Sequence, residues 1–66
     1  MKITINGKEE VVRKGMTVAE IIELKKVNPD AVIVEYNHDF IKREAWVDIV
    51  LEENDVLEIL RFVGGG

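Results

Sequence analysis

The chain of 66 residues has no cysteine. This excludes disulfide staples, thiolate metal sites and cysteine nucleophiles together, and leaves no mark of an oxidising compartment. A single histidine cannot supply the three or four Cys/His ligands of a usual zinc site. No apolar run approaches the roughly 20 residues that span a bilayer, and the start MKITING lacks the apolar stretch of a signal peptide. The expected compartment is therefore the cytoplasm, with no membrane partner. Basic residues are the minority, 9 against 13 acids for a formal charge of −4, which argues against the basic patch that a nucleic-acid surface needs.

What is present reads as one small globular domain, with 47% hydrophobic and 33% charged residues. A chain this short buries only about 60% of the surface it exposes when unfolded, so its stability is expected to be modest. Met1, Ile3 and Ile5 alternate with Lys2, Thr4 and Asn6, the period of a strand with one buried face. Asn6-Gly7 then fits a type I′ turn, followed by a second strand over about Lys8 to Arg13. A two-residue loop sets Ile3 opposite Glu10 and Met1 opposite Val12; a three-residue bulged loop sets Ile3 opposite Val11. The shorter loop is preferred.

The stretch GMTVAEIIELKK carries the clearest helix signal. Thr17 and Glu20 have the spacing of a capping box, and Met16 and Ile21 that of a hydrophobic staple. Val18, Ile21, Ile22 and Lys25, with Leu24 beside them, make a stripe that can lie on a sheet. Asn28-Pro29 stops the helix, because the residue before proline avoids the α region, and the predicted span is 18–26. AVIVEYN reads as a strand with Val32, Val34 and Tyr36 on one face and Ile33, Glu35 and Asn37 on the other. Asn37 to Asp39 is turn-rich, and Phe40-Ile41 adds a short strand. KREAWVDIVLEEND has no clean period and is expected to be a short helical turn plus an irregular connection, closed by a turn at Asn54-Asp55. The last strand, VLEILRF, leads to Val63 and three glycines. These elements predict a two-layer α+β fold: one mixed sheet with the main helix across one face.

The glycines Gly64, Gly65 and Gly66 contribute nothing to a core and lose the most freedom if ordered. They are either a frayed end or an engineered scar, or the end is the working part. In the second case Gly66 presents an α-carboxylate on an unbranched arm, able to thread a channel that any Cβ would block. A carboxylate is also a nucleophile toward an activated phosphate. In the strand before the arm, Leu57 and Ile59 share one face, while Leu60 and Phe62 alternate onto the face opposite the helix. Ile33 joins them if its strand lies alongside. Ile33, Leu60 and Phe62 would then form an apolar docking patch at the root of the arm, unless Phe62 folds back over the sheet. The docking reading is preferred because of the arm that follows.

Other residues attract blander readings. His38, exposed in a turn with no nucleophile near it, is taken as solvated. Arg43 and Trp46 are read as structural, Trp46 covering an end of the core and Arg43 pairing with a carboxylate or capping carbonyls. Asp30, Asp39 and Asp48 show no metal-loop spacing, and LEEND reads as a solvated acidic rim.

The residues NG at 6–7, TVAEIIE at 17–23, Asn37, Arg43, Trp46, Asp55 and VGGG at 63–66 span nearly the whole chain. In that combination the sequence resembles the ubiquitin-like β-grasp proteins, and specifically the ThiS family of thiamine-pathway sulfur carriers. It departs from the family at Lys42, where proline is frequent before the arginine, and at Asn54, where glycine is frequent before the aspartate. Asn is the next best residue at positive φ. The resemblance implies a β-grasp domain over 1–63 and a flexible tail over 64–66. It further implies that an E1-like (ThiF-like) adenylyltransferase uses ATP and Mg to adenylate Gly66, that a sulfur-donor protein converts the adenylate to a thiocarboxylate, and that a ThiG-like thiazole synthase accepts the sulfur. On this expectation the chain binds no cofactor and is a cosubstrate without catalytic residues. Three alternatives stand beside it: a sulfur carrier for molybdopterin synthesis, a protein modifier joined to lysines through Gly66, and a binding module with an inert tail.

Overall fold

The computed structural model describes residues 1–62. The expected Gly64–Gly66 tail, and the end of the domain at Val63, lie outside them. The first hairpin pairs β1 (Lys2–Ile5) with β2 (Lys8–Val11). Asn6 and Gly7 both hold positive φ, 50° and 81°, as a two-residue I′ turn demands. Ile3 stands opposite Glu10, which is the shorter-loop register. Met1 and Val12 exchange both backbone hydrogen bonds at 2.8 Å, extending the pairing one rung beyond the regular strands.

Helix α1 (Val18–Leu24) begins as its sequence dictates. The Thr17 hydroxyl accepts from the Glu20 N–H at 3.2 Å, and Glu20 Oε1 accepts from the Thr17 N–H at 2.9 Å. Its end differs from the predicted 18–26. Lys26 takes φ 57°, which breaks the helix after the cap at Lys25, and Lys25 reaches across to Glu10 at 2.6 Å. Leu24 is 57% exposed and lies off the buried stripe, which consists of Val18, Ile21 and Ile22.

A 3₁₀ turn over Pro29–Ala31, with Asn28 capping it, leads into β3 (Val32–Tyr36). β4 (Asp39–Ile41) returns beside β3 through Asn37 and His38, both at positive φ. The aperiodic stretch forms a 3₁₀ segment over Arg43–Asp48. An extended run follows and holds the entry of α1: the Val18 N–H donates to the Ile49 carbonyl at 3.0 Å and the Leu51 N–H to the Met16 carbonyl at 2.8 Å. β5 (Val56–Arg61) completes one five-stranded sheet in the order β2-β1-β5-β3-β4. β5 runs parallel to β1 and antiparallel to β3, so the strand that leads to the glycines lies in the middle of the sheet.

The core sits between that sheet and α1. Ile3, Val34 and Leu57 meet Val18 and Ile21, all five at 1% exposure or less, and Trp46 and Leu51 close one end. Burying such side chains contributes about 1.5–3 kcal/mol each, offset by the entropy of ordering the chain.

Candidate functional site

The site is the open face of the sheet where β5 ends. Alternation along β5 turns Leu57 and Ile59 toward the helix and Leu60 away from it. Leu60 stands opposite Ile33 in the β3–β5 ladder. Ile33, Leu60 and Phe62 are 41%, 41% and 45% exposed, so the three residues expected to form a patch remain accessible to a partner. Phe62 does not enter the core; its N–H continues the ladder by donating to the Ala31 carbonyl at 3.1 Å. Phe40, at 67% exposure, adds an aromatic ring to the same face, being opposite Glu35 on β4.

Two polar devices hold β5 in place, and sequence reasoning saw neither. Asn6 in the hairpin turn also grips β5 by its side chain: Oδ1 accepts from the Ile59 N–H at 2.7 Å and Nδ2 donates to the Ile59 carbonyl at 3.3 Å. The amide thus adds a rung of pairing between β1 and β5 after the backbone of β1 has turned away. At the other end, Asp55 is 9% exposed and acts as an acceptor for three groups. Oδ2 accepts from the Tyr36 hydroxyl at 2.9 Å and from the Glu52 N–H at 2.8 Å, and Oδ1 from Asn37 Nδ2 at 3.2 Å. Asn37 Oδ1 in turn accepts from the Val56 N–H at 2.8 Å. The phenol of Tyr36 is raised above its ordinary value by burial first, then by its hydrogen bond to Asp55 and by the negative charge of Asp55 and Glu52. An Asp just before a β-rich run was the available signal for a strand-start cap, but two of its three partners lie 18 and 19 residues away.

Arg43 pairs with Asp30, and Trp46 is buried at the end of the core, both in the structural roles expected of them. The Trp46 indole N–H finds no partner among the described residues. Asn37, Arg43, Trp46 and Asp55, which carried much of the resemblance in sequence, are therefore scaffold. Among the described residues there is no group of three His, Cys, Asp or Glu side chains placed to hold a metal ion, and no helix long and apolar enough to cross a membrane.

A mixed sheet gripping one helix, with the central strand leading to a glycine triplet, defines a ubiquitin-like β-grasp domain. The chain belongs to the ThiS family, whose model matches residues 2–66. It is 34% identical over 65 residues to the sulfur carrier protein ThiS of Bacillus subtilis, covering 97% of this chain and 98% of that one. The crystal structure of a thiamine biosynthesis protein (ThiS) from Geobacter metallireducens superposes with a TM-score of 0.87 at 35% identity, over 100% of both chains. All of this chain also aligns, at 33% identity, with part of a thiazole synthase from Paramagnetospirillum magneticum. The chain spans about a fifth of the length of the thiazole synthases it matches.

Proposed function

We propose that this protein is a sulfur carrier of thiamine biosynthesis, with the Gly66 carboxylate as its reactive group. An E1-like adenylating enzyme binds the open sheet face through Ile33, Leu60 and Phe62 and takes Gly64, Gly65 and Gly66 into its active site. There the carboxylate attacks the α-phosphorus of ATP bound with Mg, and pyrophosphate leaves. Sulfur delivered by a donor protein displaces AMP and leaves a thiocarboxylate, which a thiazole synthase consumes. The carrier contributes no catalytic group and holds no cofactor; its work is to present one end. Its compartment on this reading is the cytoplasm, where ATP is at hand.

The observation that carries the reading is the family match, which runs through the glycines to Gly66. The likeness to part of a thiazole synthase supports that enzyme class as a partner, since a domain found within one protein is suited to act on its neighbour. The position of β5 supports the docking role: a central strand held by Asn6 and by β3 gives the chain beyond it a fixed point of departure.

Intact-mass measurement of the protein from its native cell is expected to show a fraction in which sulfur replaces one oxygen. A ladder of high-mass conjugates would instead make it a modifier. Deleting Gly66 is expected to leave the melting temperature unchanged and to abolish ATP–pyrophosphate exchange by the adenylating enzyme; exchange that persists would overturn the assignment.

A further inference from the structure

The open sheet face contains an arrangement that folding alone disfavours. Glu35 of β3 stands directly opposite Glu58 of β5. The bonds from the Asn37 N–H to the Val56 carbonyl and from the Phe62 N–H to the Ala31 carbonyl place this rung in the hydrogen-bonded set. Its Cα atoms are therefore about 5.5 Å apart. Like charges so placed repel. Both residues are half-buried, and among the described residues neither side chain takes part in an ion pair or hydrogen bond; the four ion pairs lie elsewhere. The walls on two sides are apolar: Phe40 stands opposite Glu35 on its other side, and Ile33 and Leu60 form the next rung of this face, while the rung in the other direction pairs Asn37 with Val56. Among the described residues no cationic side chain pairs with either glutamate. Lys2 on this face pairs with Glu9 on β2, and Arg61 alternates to the helix side.

We infer that this face docks a partner protein which places a cationic side chain, best an arginine, between Glu35 and Glu58, and seats apolar side chains on Ile33, Leu60 and Phe40. A guanidinium offers donors in a planar fork that can meet two carboxylates at once. The apolar walls exclude water on closure, which strengthens those bonds and makes an uncharged partner costly, because it would bury two unpaired carboxylates. The occupant is the adenylating enzyme, so the inference rests on the proposed function. Cationic side chains that hold the phosphates of ATP would attract a carrier of net charge −4 toward that enzyme.

The test measures ATP–pyrophosphate exchange by the ThiF-like adenylating enzyme of the source cell, at saturating ATP and Mg, against concentration of the full-length carrier. The carriers compared are the wild type, the double variant Glu35→Gln/Glu58→Gln, the double variant Glu35→Lys/Glu58→Lys, and Phe62→Asp. The glutamine pair is expected to raise KM for the carrier about tenfold at unchanged kcat. It should also flatten the rise of KM with salt, and should melt no lower than the wild type because the repulsion is gone. The lysine pair is expected to prevent saturation. If the glutamine pair leaves KM and its salt dependence unchanged while Phe62→Asp raises KM, the cation is refuted and the docking face stands. A lower melting temperature for the glutamine pair would show the carboxylates to be structural and overturn the inference. A wild-type carrier that supports no exchange would remove the proposed function itself, and this inference with it.

Discussion

Replacing Asp55 with alanine removes a buried acceptor that helps tie the start of β5 to β3 and to the turn before it. Three donors lose their partner: the Tyr36 hydroxyl, the Glu52 N–H and the Asn37 amide. Hydrogen bonds to a charged group contribute about 1.5–3 kcal/mol each. Their simple sum overstates the effect, since the three share one small site and water can enter the space left by the carboxylate. A loss of about 3–4 kcal/mol is the expected net. A chain of 66 residues has a total stability of about 3–10 kcal/mol, so the variant is expected to be marginal. Its melting temperature should fall by about 15 °C or more, at 4–8 °C per kcal/mol for a domain of this size. Urea unfolding followed by the fluorescence of the single tryptophan, Trp46, measures the free energy directly. The chain has only one tyrosine, so its alkaline absorbance titration reports Tyr36 alone, and in the variant that pKa should drop back toward 10.0. A stability loss under about 1 kcal/mol, the value of a single neutral hydrogen bond, would refute the view of Asp55 as a buried three-way acceptor.

Alkaline pH should weaken the wild type through the same contact. Tyr36 has its folded pKa raised above the unfolded value of about 10, so its contribution is complete below pH 10 and is lost as pH climbs from there through the folded pKa; Tyr36→Phe should lessen that loss in urea melts across the range. Thr17→Ala removes the acceptor for the Glu20 N–H and should cost about 1 kcal/mol of unfolding free energy, whereas Thr17→Ser should cost a fraction of that. Asn6→Ala breaks both bonds to Ile59 and places alanine at a positive φ, and an expected loss of about 2 kcal/mol should come with faster amide exchange at Ile59. Phe62→Asp, at a residue nearly half exposed, should weaken docking to the adenylating enzyme while changing the melting temperature by no more than a few degrees; a large drop would mark Phe62 as core.

What could be read directly from the chain was whatever depends on neighbours a few residues apart. The I′ turn at Asn6-Gly7 is set by which residues tolerate positive φ, and choosing that turn also chose the register that puts Ile3 opposite Glu10. The helix start followed from Thr17 and Glu20, three residues apart, and the two-residue period of β5 put Leu60 on the face away from Leu57 and Ile59. The end of α1 was less legible, because Lys25 is drawn to Glu10 on another strand and Lys26 turns the backbone.

The tertiary structure decided the rest, since the contacts concerned join residues far apart in sequence. Only folding brings Asn6 to Ile59, Asp55 to Tyr36, and Glu35 into line with Glu58. The local pattern places Asp55 just before a strand but does not show that Tyr36 and Asn37 meet it there, or that two glutamates 23 positions apart share a rung. Sequence periodicity assigns a residue to a face; pairing between strands decides which side chain it meets there, and the energies of buried hydrogen bonds and opposed charges depend on that meeting.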